Sequence, residues 1–104
     1  MTDILIVSIT CATSAEAEAL AHKLIELRLA ACVQSQSVRS TYVWDGAVET
    51  ASEVLLTAKT RADKWPALEA FVRASHSYEV PEIIATRAEQ VSPPYADWLN
   101  EVLG

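Results

Sequence analysis

Two extended runs, Cys32–Trp44 and Val48–Thr60, flank the dipeptide Asp45-Gly46, and neither contains proline or glycine. Asp-Gly between β-prone segments marks a two-residue hairpin turn, whose two central residues both need positive φ. Each arm is roughly a dozen residues long, about twice the usual strand. Arms of that length overhang a small sheet and leave unpaired N–H and C=O groups along an edge. Pairing with further copies of the chain is the simplest remedy, so a homo-oligomer is expected. The turn also fixes a register: Trp44 opposite Ala47, Tyr42 opposite Glu49, Val38 opposite Glu53 and Cys32 opposite Lys59. Side chains alternate between the faces of a strand, so Cys32, Tyr42, Trp44, Glu49, Glu53 and Lys59 share one face, provided no β-bulge interrupts the ladder.

The segments around this hairpin read in a definite order. Ile4–Ile9 is a β-branched apolar run, expected as a strand buried on both faces. Thr13 with Glu16 three residues later has the capping-box pattern, and Ala17, Leu20, Ala21, Leu24 and Leu27 recur at helical spacing. That helix is expected to end near Arg28-Leu29. After the hairpin, Asp63 is positioned to cap a second helix with Pro66 in its first turn and Trp65, Leu68, Phe71 and Val72 as its apolar face. The helix fails by His76-Ser77. Glu79-Val80-Pro81 is extended, because a residue before proline avoids the α region. Glu82–Arg87 forms a last strand. Ser92-Pro93 opens a closing helix carrying Tyr95, Trp98, Leu99 and Val102. The order β-α-β-β-α-β plus a helix predicts an α+β fold, a ferredoxin-like βαββαβ sandwich with helices on one face of the sheet and an extra C-terminal helix. One domain over residues 1–104 is expected from the length.

Composition narrows the function. Eight Lys+Arg against 14 Asp+Glu give a net charge of −6, a poor match to nucleic acid or to an anionic membrane, both of which need clustered cations. With 51% hydrophobic residues the chain can build a real core. No stretch approaches the ~20 apolar residues of a spanning helix. Thr2-Asp3 leads straight into an apolar run without a basic region, so no signal peptide is expected. Cys11 and Cys32 form no CxxC pair and no dense framework, and read as reduced thiols in the cytoplasm.

Several residues can do chemistry. Cys32 is a candidate ligand for a soft metal such as copper, although a lone cysteine is more often a small buried hydrophobe. The same holds for Cys11, at the start of the first βα loop. His76, beside Tyr78, Glu79 and Glu82, can ligate a metal or simply favour a helix C-terminus. His22 falls on the polar side of its helix. Lys59 and Arg61 can hold an anion or form salt bridges, with Glu53 a partner for either. Tyr42, Trp44, Tyr78 and Trp98 suit a pocket or an interface. The only glycines are Gly46 and Gly104, so a Gly-rich phosphate cradle is excluded, and there is no GxSxG or HExxH. An acylphosphatase-like enzyme would need an arginine cradle after the first strand, and Cys11-Ala12-Thr13-Ser14 supplies none. No enzymatic activity is expected.

Several segments together resemble the CutA1 family of divalent-cation tolerance proteins. They are Arg28-Leu29-Ala30-Ala31-Cys32-Val33; Ser40, Tyr42, Trp44, Gly46, Val48 and Glu49; Glu53, Leu55 and Lys59-Thr60; Tyr78-Glu79-Val80-Pro81-Glu82-Ile83; and Tyr95 with Trp98-Leu99. The resemblance implies a ferredoxin-like subunit similar to the PII signalling proteins, a homotrimer built through the long hairpins, and a link to copper or another divalent cation. Cys32 and His76 carry over as candidate metal ligands. Tyr42, Trp44, Glu53, Lys59, Tyr78, Glu79 and Trp98 carry over as the lining of an inter-subunit cleft. A PII-like sensor that binds a small anionic ligand in that cleft is the alternative reading, and a trimer that positions partner proteins is a third. The chain departs from the family pattern at Ala12, at Gln36-Ser37, at Ala47 in place of the lysine after the turn glycine, and at Ser77 in place of a proline. Loss of that proline is expected to loosen the loop around it.

Overall fold

The computed structural model describes residues 2–104. Its elements are β1 (Ile4–Cys11), α1 (Ser14–Glu26), β2 (Cys32–Trp44), β3 (Ala47–Arg61), a single 3-10 turn (Ala62–Lys64), α2 (Trp65–Ser75), β4 (Ile83–Arg87) and α3 (Pro93–Leu103). The sheet has the order β2-β3-β1-β4, with every neighbouring pair antiparallel. Each helical crossover, α1 and α2, therefore skips one intervening strand. This is the split βαβ arrangement of ferredoxin-like folds.

The hairpin follows the register its turn dictates. Pairs run without interruption from Trp44↔Ala47 to Cys32↔Lys59, and no bulge occurs. Asp45 and Gly46 have φ of 51° and 79°, as a two-residue turn with the twist of its strands requires. The arms outrun the rest of the sheet, because β1 pairs with β3 only as far as Cys11↔Val54. Beyond that point Val43 and Val48, opposite each other, are exposed. The overhang accounts for a long axis of 44 Å against 26 and 22 Å.

On one face the central strands β1 and β3 are covered by helices. Leu5, Val7, Ile9 and Cys11 of β1, with Leu56 and Ala58 of β3, pack under Leu20 and Leu24 of α1 and Leu68 and Val72 of α2. The other face is covered only at its two ends: Leu99 and Leu103 of α3 close over Ile4 and Ala31, and at the far end Thr10 and Glu53 are buried. Ile6 and Ile84 on that face stay exposed. The expectation of a first strand buried on both faces thus holds within one subunit at Ile4 and, at the far end of β1, Thr10, but fails at Ile6 between them.

Local signals hold in part. Thr13 Oγ1 accepts the Glu16 N–H at 3.1 Å, as a capping box predicts. The reciprocal bond goes from the Ala12 N–H to Glu16 Oε1, one residue further back. Helix α1 stops at Glu26 rather than near Arg28-Leu29, and residues 27–29 form its cap. The Leu29 N–H bonds Leu24 O and the Arg28 N–H bonds Ile25 O, a Schellman motif with Arg28 at φ 58°. Asp63 does not cap α2. Arg61 holds its carboxylate in a two-point pair at 2.7 and 3.0 Å, and Lys64 occupies the cap position without a side-chain bond. Ser92 also makes no side-chain cap, and α3 starts on Pro93, whose φ is already helical.

Candidate functional site

The end of β1 creates the site. Glu53 lies one residue beyond Val54, the last β3 residue with a β1 partner. The chain leaving α2 crosses at this point. The His76 side chain is enclosed, with none of its surface accessible. Its Nδ1 accepts the Tyr78 N–H at 3.0 Å, and its Nε2 lies 2.8 Å from the Thr10 carbonyl. Nδ1 must be unprotonated to accept, so Nε2 carries the hydrogen and donates. Two residues on, the Tyr78 hydroxyl donates to Glu53 Oε2. Burial, then this hydrogen bond to a carboxylate, pushes the Tyr78 phenol well above its ordinary range.

Glu16 locks the segment in place. One oxygen accepts from Ala12 and the other from the Ser77 N–H at 2.8 Å. Partial burial pushes this carboxyl's pKa up, but the bonds from Ser77 and Ala12 outweigh it and hold the group below its ordinary value. Ser77 therefore does not loosen the loop. Its backbone N–H supplies a bond that a proline lacks.

Between this segment and the hairpin lies a cleft of about 670 Å³. Glu53 and Tyr78 line it together with Tyr42, Trp44, Glu79 and Glu82. No lysine, arginine or histidine lines it among the described residues. Five residues expected in a cleft are thus brought together: Tyr42, Trp44, Glu53, Tyr78 and Glu79. Ser40 and Glu82 also line it, and neither was expected there. Ser40 has the face parity of Tyr42, so the register could have placed it there, and Glu82 belongs to the same short segment as Tyr78 and Glu79.

Lys59 and Trp98 do not join this cleft within one subunit. Lys59 Nζ donates to Gln34 Oε1 at 2.7 Å. Trp98, on α3, packs at a tilt against Tyr95, ring centroids 5.5 Å apart. Arg61 is taken up by Asp63, Asn100 and the Gly104 carbonyl. The cations expected to hold an anion thus already have partners.

The two candidate metal ligands also lie apart. Cys32 pairs with Lys59, while His76 contacts Thr10, which pairs with Leu55. Lys59 and Leu55 are four residues apart along β3, about 13 Å at ~3.3 Å per residue. Cys32 is a free, partly exposed thiol. The one group of three metal-ligating side chains among the described residues is Cys11, Glu16 and His76, with donor atoms within 4.8 Å of one another. It fits a metal poorly. Both His76 nitrogens and both Glu16 oxygens are hydrogen-bonded, and burial, then Glu16, pushes the fully enclosed Cys11 thiol up to about 11.

A four-stranded ferredoxin-like sheet with an overlong hairpin and an acidic, aromatic cleft at the end of β1 defines the class. The chain belongs to the CutA1 family: the family model described as CutA1 divalent ion tolerance protein matches residues 5–102. It is 44% identical over 95 residues to Protein CutA of Mus musculus, covering 90% of this chain and 54% of that protein. Over 100 residues it is 40% identical to the divalent-cation tolerance protein CutA of Thermus thermophilus, covering 95% and 97%. The chain spans only a little over half the length of the mouse and human relatives, 54% and 53%. Among solved structures, CutA from Synechococcus elongatus superposes with a TM-score of 0.96 at 32% identity, covering 100% of this chain and 93% of that one. The periplasmic divalent cation tolerance protein CutA from Archaeoglobus fulgidus gives 0.95 at 35% identity, covering 97% and 99%.

Proposed function

We propose that the chain acts in metal-ion tolerance as a non-catalytic, cytoplasmic homotrimer that binds copper or another divalent cation, with Cys32 as a ligand. The observation that carries this reading is the state of Cys32: a free, partly exposed thiol beside Tyr95 of α3. A thiolate there suits a soft cation. Cys11, by contrast, is fully enclosed. Membership of the CutA1 divalent ion tolerance family supports the same reading. Cys32 has no second ligand within the groups of metal-ligating side chains found among the described residues, so the remaining donors come from a neighbouring copy; His76, enclosed and hydrogen-bonded at both nitrogens within its own subunit, is not one of them. Self-association is supported by the exposed Ile6, Ile84, Val43 and Val48, a surface that further copies would cover.

An anaerobic Cu(I) competition titration tests the proposal, run on the wild type and on Cys32→Ser, with light scattering for the assembly mass. Tight binding at a fixed number of ions per chain, lost in Cys32→Ser while the assembly persists, is expected. Equal affinity in the variant removes Cys32 from the site, and a monomer in solution removes the trimer.

A further inference from the structure

The cleft at the end of β1 holds a carboxylate with unfinished chemistry. Glu53 is 7% exposed, a degree of burial that acidic side chains rarely reach unless paired. Its Oε2 is taken by the Tyr78 hydroxyl, while Oε1 has no hydrogen-bond partner among the described residues and is not sealed from the cleft. Among the described residues of the same subunit no cation lines the cleft to answer it. Around this floor stand the half-exposed rings of Tyr42 and Trp44, and the exposed Glu79 and Glu82 lie at the mouth.

A bare metal ion is a poor occupant. The carboxylates of the cleft do not converge with other ligands into a chelating group, and about 670 Å³ is the size of a small-molecule site. Aromatic faces beside a buried carboxylate favour a cation that also has an apolar body. The free Glu53 oxygen asks for an N–H donor. We propose that this cleft binds a small aliphatic amine in its ammonium form, with an N–H on Glu53 and its carbon chain against Tyr42 and Trp44. This inference does not rest on the metal reading, whose ligand Cys32 lies outside the cleft, so the two fail independently.

The test is calorimetric titration of the assembled protein with putrescine at fixed ionic strength, with tryptophan fluorescence as a second readout. Saturable binding is expected, weakened about tenfold or more by Glu53→Gln, the loss of one charge-assisted hydrogen bond. Glu53→Gln still accepts from Tyr78. Should it fail to fold, Trp44→Ala, at the exposed hairpin end, provides the decision and is also expected to weaken binding. Glu89→Gln, outside the cleft, is expected to bind as wild type. No saturable binding up to about 10 mM, where even a weak specific site of millimolar Kd would fill, overturns the proposal. So does equal affinity in Glu53→Gln and Trp44→Ala, or equal affinity for tetramethylammonium or Mg²⁺, which have no N–H to give.

Discussion

Glu16 and Ser77, 61 residues apart in sequence, are joined by a 2.8 Å hydrogen bond from the Ser77 N–H to the Glu16 carboxylate. The same carboxylate holds the Ala12 N–H. One side chain thus completes the start of α1 and fixes the segment that carries His76 and Tyr78 into the cleft. Proline at position 77 would delete the donor. Ser77→Pro is expected to destabilise by about 1 kcal/mol, a charged hydrogen bond lost against a smaller gain from the stiffer unfolded chain. Urea melts of the two proteins measure the difference, and a more stable variant would show that the bond contributes little.

The Glu16 pKa is lower in the folded chain than its ordinary 4.5. The sign follows: below 4.5 the unfolded chain takes up this proton before the folded one does. Its contribution is therefore full above pH 4.5 and is lost as pH falls through the folded value. Glu16→Gln is expected to be less stable at pH 7 and to show a flatter acid limb. Thermal midpoints of both proteins between pH 3 and 7 check this.

Two groups act in the opposite direction. Cys11 is raised from 9.0 to about 11, and Tyr78 is raised above 10.0. The unfolded chain releases both protons first, so stability is full below pH 9.0 and falls as pH rises. Each proton adds a slope of at most about 1.4 kcal/mol per pH unit within its window. Cys11→Ala is expected to flatten the limb between pH 9.0 and 11, and Tyr78→Phe the limb above pH 10.0. Tyr78→Phe also strips the buried Glu53 of its donor, a cost of about 1–3 kcal/mol at neutral pH. Denaturant melts over this range separate the two effects.

Arg28 caps α1 from the left-handed region, at φ 58°. Its guanidinium Nη1 donates to the Val102 carbonyl of α3 at 2.6 Å. Glycine at this position removes about 1 kcal/mol of backbone strain but also the tether, so Arg28→Gly is expected within about 1 kcal/mol of wild type. A β-branched residue loses the tether and deepens the strain. Arg28→Val is expected to be the less stable of the two by about 1–2 kcal/mol. Equal stability of the glycine and valine variants would argue against strain at this position.

Thr60 is fully buried in β3, and its hydroxyl donates to the Leu29 carbonyl at 2.6 Å. Valine has nearly the same shape but no donor. Thr60→Val is expected to cost about 1–3 kcal/mol by leaving a buried carbonyl unpaired, measured as a shift in the urea midpoint at unchanged slope.

Much of the fold is written locally. The Asp45-Gly46 turn sets every pair of the hairpin, because two residues at positive φ leave a single register. Face parity then puts Tyr42, Trp44 and Glu53 on one side. Apolar spacing marks α1, α2 and α3 within a residue or two of their observed ends. One failure was at a polar residue with a competing partner. Asp63 had the form of a helix cap, but the Arg61 guanidinium is closer and charged, and a cap residue cannot serve both.

The site was legible only in its inventory. Sequence fixed which side chains share a face, since alternation along a strand is a property of the backbone. It did not fix which of them meet, because that depends on where β1 stops and where the chain after α2 crosses. Glu53 and Lys59 share a face of the same strand, yet one is buried under Tyr78 and the other reaches Gln34. Cys32 and His76 have the chemistry of a ligand pair, yet the sheet holds them rows apart. Ser77 resembles a weakened loop until Glu16 is brought beside it. The bonds of residues 76–78 reach Thr10, Glu16 and Glu53, and contacts between segments so distant in the chain exist only once the sheet has brought them together.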